Sequence, residues 1–238
     1  MRLFLMQLGI APDSGTPYPG YLIQTDDGAN VLVDTGFPPG IVELSRAPDF
    51  RGPRVTKEDL IVNQLARLGV KPDDVRYVVA THYDGDHAGS LDSFPNAEIV
   101  VQRAHDEAAR SGLERFARIR GHWDSPNVHL RRVDGDVELL PGIELIESGG
   151  HVPGHQPVLV RLPETGPVLL AIDAISHALG DETPETRTAA PHDMDPIGLR
   201  ASTRKLVDLA GREGVTLIVY GHDGQQWAKL KKAPEFYS

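Results

Sequence analysis

Short apolar runs separated by turn residues dominate the first third of the chain: Arg2–Ile10, Gly20–Thr25 and Asn30–Asp34. Asp26-Asp27-Gly28, between the second and third runs, predicts a hairpin turn, because Asp and Gly tolerate the backbone conformations a tight connection needs. From about Lys57 the apolar period lengthens. Ile61, Leu65 and Leu68 recur at helical spacing, Thr56 with Asp59 three residues on resembles a capping box, and Pro72 stops the helix. Arg76–Thr81 is then a β-branched and aromatic run of the kind that forms a strand buried on both faces.

The second half repeats the alternation. Ala97–Gln102, Gly142–Glu147, Pro157–Leu162, Pro167–Ile172 and Leu217–Tyr220 read as further strands. Between the last two, a helix begins at Asp195-Pro196, carries Leu199, Leu206 and Ala210 on one face, and ends near Gly211. Gly180–Pro191 is polar and aperiodic, which predicts a loop. Nine strands with helices between them imply sheets covered by helices, of α/β or α+β class. No composition shift marks a linker, so residues 1–238 are expected to form a single domain.

Charge and composition narrow the function. The chain has 24 basic and 34 acidic residues, a formal net charge of −10, so no nucleic-acid partner is expected: the field over most of the surface repels phosphate. No apolar run reaches the roughly 20 residues of a membrane span, and no signal-like segment opens the chain. A cytoplasmic protein without a membrane partner is therefore expected. Cysteine is absent, which excludes disulfides, thiolate metal sites and a cysteine nucleophile. The ten histidines and the carboxylates are then the strong metal ligands available.

The densest chemistry lies in Thr81-His82-Tyr83-Asp84-Gly85-Asp86-His87-Ala88-Gly89, directly after a strand and before what reads as a helix. Four ligand types fall within six residues there, close enough for a tight loop to turn several toward one point. A polar turn in which Asp84 and Asp86 merely cap a helix is the alternative on this segment alone. Further candidates close later strands: His151-Val152-Pro153-Gly154-His155, Asp173, and Gly221-His222-Asp223. Their recurrence at one end of successive strands is where α/β proteins build sites. Seven nitrogen and oxygen ligands converging there would suit two divalent ions with open positions for water and substrate.

These motifs resemble the metallo-β-lactamase-fold hydrolases, and among them the N-acyl homoserine lactonases that open quorum-sensing lactones. The likeness runs nearly end to end. It includes Val31-Leu32-Val33-Asp34-Thr35-Gly36, Glu58-Asp59-Leu60-Ile61-Val62-Asn63 and Val100-Val101-Gln102-Arg103, and continues through Pro153-Gly154-His155-Gln156, Ile172-Asp173-Ala174 and Tyr220-Gly221-His222-Asp223. The resemblance implies a four-layer αβ/βα sandwich, with two mixed sheets flanked by helices. It implies two divalent ions per chain, zinc foremost, with manganese, iron or cobalt as alternatives. His82, Asp84 and His155 would bind the first, Asp86, His87 and His222 the second, and Asp173 would bridge them. Asp34 would support the site from behind, and His151 would stand behind the ligands or face solvent.

Two residues depart from the family pattern. The loop motif His-x-His-x-Asp-His reads here His82-x-Asp84-x-Asp86-His87, so a carboxylate replaces an imidazole. Three residues after Asp173, where the lactonases carry a substrate-binding tyrosine, this chain has Ser176 followed by His177. Ser176, His177 and Tyr83 are therefore the candidate substrate contacts, and loops around Ile10–Tyr21 and Phe37–Phe50 the candidate walls for an acyl tail. The activity implied is hydrolysis by metal-activated water, with Asp86 carrying a proton to the leaving alkoxide. The substrate would be a small lactone or ester, and the protein a monomer or homodimer. Hydrolysis of another lactone, ester or thioester is the alternative, followed by an inactive metal-binding member.

Overall fold

The structure is a computed structural model describing residues 1–238. Its first sheet has six strands in the order β1-β2-β3-β4-β5-β6: Arg2–Ile10, Pro17–Gln24, Asn30–Val33, Val75–Val79, Glu98–Gln102 and His129–Val133. The first three pair antiparallel, and β3 through β6 pair in parallel. The second sheet has the order β11-β10-β9-β8-β7, formed by Leu217–Tyr220, Gly166–Ile172, Val158–Leu162, Ile143–Leu145 and Val137–Leu140. Only its β10–β11 pair is parallel.

Period-two alternation explains the layering. Val31 and Val33 of β3 face the second sheet, where Val158, Val160, Leu170 and Val219 complete a buried core between the sheets. Leu32, between those two valines, points the other way and joins Val78, Ile99, Phe116 and Trp123 on the outer face of the first sheet. On β10, Leu169 and Ala171 point outward against Leu206 and Leu209 of the long helix α6, Pro196–Glu213. Helices on the outer faces of two packed mixed sheets make the four-layer sandwich that the family resemblance implied. No helix is long and apolar enough to cross a membrane.

Several elements differ from the pattern reading. Two of the eleven strands, β6 and β7, lie outside the nine that the pattern predicts; both are edge strands, and three of the five residues of β6 are His129, Arg131 and Arg132. The capping box at Thr56 and Asp59 opens a 3₁₀ turn over Lys57–Asp59, and the helix proper (Ile61–Arg67) follows it. No α-helix follows the ligand-rich loop: a 3₁₀ turn at Leu91–Ser93 stands there. Arg76 is exposed, so β4 is buried on both faces only from Val78 onward. The helix α6 passes through Gly211 and ends at Gly214, whose left-handed conformation (φ 63°) closes the last turn.

Candidate metal centre

The C-terminal ends of β3, β4 and β10, with the loop after β8 and the turn after β11, converge at one edge of the sandwich. Two non-glycine residues hold positive φ there, Asp34 (60°) after β3 and Ile172 (50°) just before Asp173. Close backbone packing shapes the rest. A Cβ on Gly150 (φ 114°) would lie 2.1 Å from the Leu199 nitrogen, and one on Gly221 would lie 2.4 Å from the Ile172 carbonyl oxygen.

Two donor groups result. In the first, His82 Nε2 and His151 Nε2 lie 3.2 and 3.3 Å from Asp84 Oδ2. In the second, Asp86 Oδ2 lies 3.3 Å from His87 Nε2 and 3.9 Å from His222 Nε2. Asp173 stands between them. Its Oδ1 is 3.5 Å from His87 Nε2 and 3.1 Å from His222 Nε2, while Oδ2 is 3.4 Å from His151 Nε2. Donors held about 2.1 Å from a tetrahedral ion sit about 3.4 Å from one another, so both groups have metal-ligand spacing. Buried His82 Nε2, His87 Nε2, His155 Nε2 and Asp173 Oδ1 have no hydrogen-bond partner, which a cation bound among them would remedy. This His/Asp cluster suggests a dinuclear metal site.

The imidazoles are aimed from behind. Asp34 Oδ2 accepts from His87 Nδ1 (2.8 Å) and from Thr81 Oγ1 (2.8 Å), and Oδ1 accepts from the Thr81 amide (2.9 Å). His222 Nδ1 donates to the Pro17 carbonyl and His151 Nδ1 to Asp193 Oδ1, each at 2.8 Å. Each of these Nδ1 contacts turns Nε2 toward the centre. Burial opposes charge on every group here, yet His87 is raised well above an ordinary histidine by Asp86, Asp173 and Asp34. Burial likewise opposes ionisation of Asp84, but the paired Arg115 guanidinium, with His151 and His82 close beside it, holds the carboxyl well below the usual carboxylate range. His151 is pushed up to about 9, with Asp173 and Asp193 outweighing its burial.

One expected ligand changes place. The loop Gly150–His155 presents His151, not His155, to His82 and Asp84. A bridge closes that loop, with the Ser148 amide donating to the His155 carbonyl at 2.7 Å, and His155 Nδ1 lies 2.9 Å from Ser148 Oγ. His155 lies outside both donor groups, although its ring is 5.1 Å from that of His82 and its buried Nε2 has no hydrogen-bond partner; His151 takes the ligand place. The other expected ligands, His82, Asp84, Asp86, His87, Asp173 and His222, are brought together.

A cavity of about 970 Å³ opens onto both groups. Ser176 and His177 line it, but Tyr83 does not. Its ring is fully buried, stacked on Trp123 at 4.9 Å, with its hydroxyl 3.4 Å from Asp106. The apolar environment next to Trp123 and Phe116 draws the aromatic ring inward, so Tyr83 is unavailable as a substrate contact. Tyr18 and Phe37 line the cavity instead, with Tyr18 edge-on to His222 at 5.4 Å. Tyr18 belongs to the Ile10–Tyr21 segment expected to form a wall, but nothing in its local sequence marks it as polar machinery.

Arg115, on the four-residue helix α4 (Glu114–Ala117), has no sequence signal at all. Its Nε donates to Asp84 Oδ1 at 2.7 Å, Nη2 pairs with Asp84 Oδ2, and the same Nη2 lies 2.8 Å from His151 Nε2. His105 is another unforeseen element. It is fully buried, accepts the Tyr83 amide at Nε2 and donates from Nδ1 to the Pro153 carbonyl, both at 2.8 Å. It thereby ties the His82–His87 loop to the His151 loop.

The chain belongs to the metallo-β-lactamase superfamily, whose family model matches residues 16–222. It is 36% identical to an N-acyl homoserine lactonase of a Bacillus species, an alignment covering 91% of this chain and 85% of the relative. The N-acyl homoserine lactonase AttM of Rhizobium radiobacter is 34% identical, with 98% and 92% covered. A crystallised N-acyl homoserine lactone hydrolase with the product N-hexanoyl-L-homoserine at its catalytic metal centre superposes with a TM-score of 0.85. It is 31% identical, and the match covers 99% of this chain and 98% of that one.

Proposed function

We propose that this protein is a dinuclear metal-dependent hydrolase that opens the ring of N-acyl homoserine lactones. The observation that carries the reading is the pair of donor groups sharing Asp173 at the wall of a cavity of about 970 Å³. The lactonases similar to it over nearly the whole chain add the substrate class. His82, Asp84 and His151 would hold one ion and Asp86, His87 and His222 the other, with Asp173 between. Divalent ions bound there supply Lewis-acid activation of water and of the lactone carbonyl. Zinc suits the two imidazoles that each group offers, and the carboxylates leave room for manganese, iron or cobalt.

The chain's own residues complete the reaction. Asp86 lines the cavity and carries a proton to the alkoxide that leaves as the ring opens. Tyr18 takes over the hydroxyl contact that Ser176 is too short to make. Its phenol is kept protonated by burial and by the charges of Asp86 and Asp173, which makes it a donor toward a substrate carbonyl. Ser176 and His177 line the same cavity. His177 is exposed and, through burial of part of its ring and the nearby His222, is shifted below an ordinary histidine, so it meets substrate as a neutral group.

A second reading, hydrolysis of a more polar lactone or ester, draws on the wall itself. Arg187, Glu182, Thr188 and His192 line the cavity and offer less apolar surface than a long acyl tail would use. Residues 1–238 would act as one domain, as a monomer or homodimer in the cytoplasm, without nucleic-acid or membrane partners. The test loads the protein with zinc, measures metal content, and compares turnover of acyl homoserine lactones, simple lactones, esters and a phosphodiester. Faster opening of a lactone than of any phosphodiester is expected. A loaded protein inert toward every lactone and ester, or fastest on the phosphodiester, refutes the proposal.

A further inference from the structure

We propose that Arg115 is a built-in competitor for the first metal position, so that the two positions fill at different metal concentrations. This rests on the two-ion reading above. The guanidinium makes a two-pronged pair with Asp84, and its Nη2 lies 2.8 Å from His151 Nε2. His151 Nδ1 faces Asp193 Oδ1 at 2.8 Å, so Nε2, the ring nitrogen a metal would need, is the one that the guanidinium crowds. Two of the three side chains particular to the first position are thus already satisfied by an internal cation. The second position has no such occupant: Asp86, His87 and His222 meet no arginine or lysine among their ion-pair partners.

Charge bookkeeping points the same way. Asp84 stands where the resembled family carries a neutral imidazole, and Arg115 cancels the extra negative charge. While the pair is closed, the first position attracts a divalent ion less than the donor list alone suggests. The pair can open. Arg115 is partly exposed and lines the cavity, and its other hydrogen bonds go to the carbonyl oxygens of His151 and His192, not to a second carboxylate. Metal entry at the first position therefore requires the guanidinium to release His151 Nε2 and swing toward the cavity, leaving Asp84 to ligate.

The experiment titrates metal-free protein with zinc against a chromogenic chelator, and with cobalt(II) followed by its visible absorption. The wild-type protein should bind in two phases. His222→Ala should abolish the tight phase and His151→Ala the weak one, which assigns each phase to its position. Arg115→Met should tighten the weak phase by roughly 10–100-fold, the range typical of changes in groups that hold metal ligands, and leave the tight phase unchanged. Arg115→Lys, which keeps the charge but loses the fork, should fall between, and it serves if the methionine variant misfolds. Two equal phases in the wild-type protein, or weaker first-position binding in Arg115→Met, overturns the proposal; the latter would make Arg115 a brace for Asp84. Two unequal phases in a protein inert toward lactones would instead defeat the proposed function and leave this inference standing.

Discussion

His105 should make the fold sensitive to mild acid by an amount that can be isolated. Its imidazole is fully buried, and burial, with a smaller contribution from His82, pushes it from an ordinary 6.5 down to about 3. Protonation would also force Nε2 to give up the Tyr83 amide that it accepts. Because the folded value lies below the unfolded one, the unfolded chain binds more protons as pH falls, and stability is lost on acidification. The window opens near pH 6.5 and runs down toward pH 3. Between about pH 8 and about pH 5 the unfolded imidazole becomes almost fully protonated while the folded one stays neutral, a loss of about 2 kcal/mol. His105→Gln offers an acceptor and a donor on one side chain but does not titrate. Urea unfolding of both proteins, metal-free, across that range should show the wild-type advantage shrinking by about 2 kcal/mol, since every other titrating group is shared. Parallel stability curves, within about 0.5 kcal/mol, would mean that His105 accepts a proton without cost and that the argument from burial is wrong.

Tyr18→Phe should lower kcat/KM for lactones by roughly 5–150-fold, the worth of a hydrogen bond of about 1–3 kcal/mol to a developing charge, while zinc content stays constant; unchanged kinetics would remove Tyr18 from the substrate contacts. Asp34→Asn keeps the shape but loses the carboxylate that orients His87, and should weaken zinc at the second position by about 10–100-fold in a chelator competition while binding at the first position stays unchanged. Equal loss from both phases would show a general loosening of the edge instead.

The pattern of apolar positions settled much of this molecule. The unbroken apolar runs Val31-Leu32-Val33 and Val168-Leu169-Leu170-Ala171-Ile172 dictate strands with two buried faces, because successive side chains must leave a pleated backbone on opposite sides. The clustering of His82, Asp84, Asp86 and His87 within six residues, and of Asp173 and His222 at later strand ends, likewise marked where chemistry would gather. Edge strands β6 and β7 escaped because one side of each is unpaired and tolerates polar residues. Tertiary structure alone decided the rest. The family resemblance points to His155 as the ligand, yet the loop that Gly150 turns with its positive φ and Ser148 closes brings His151 to His82 and Asp84. Tyr83 sits beside two ligands yet points into the core, because Trp123, forty residues away in the chain, offers it a stacking face. Arg115 reaches Asp84 across 31 residues from an irregular stretch with no periodicity to betray it. Side-chain direction in a loop depends on turn geometry and distant partners, and neither is written in local spacing.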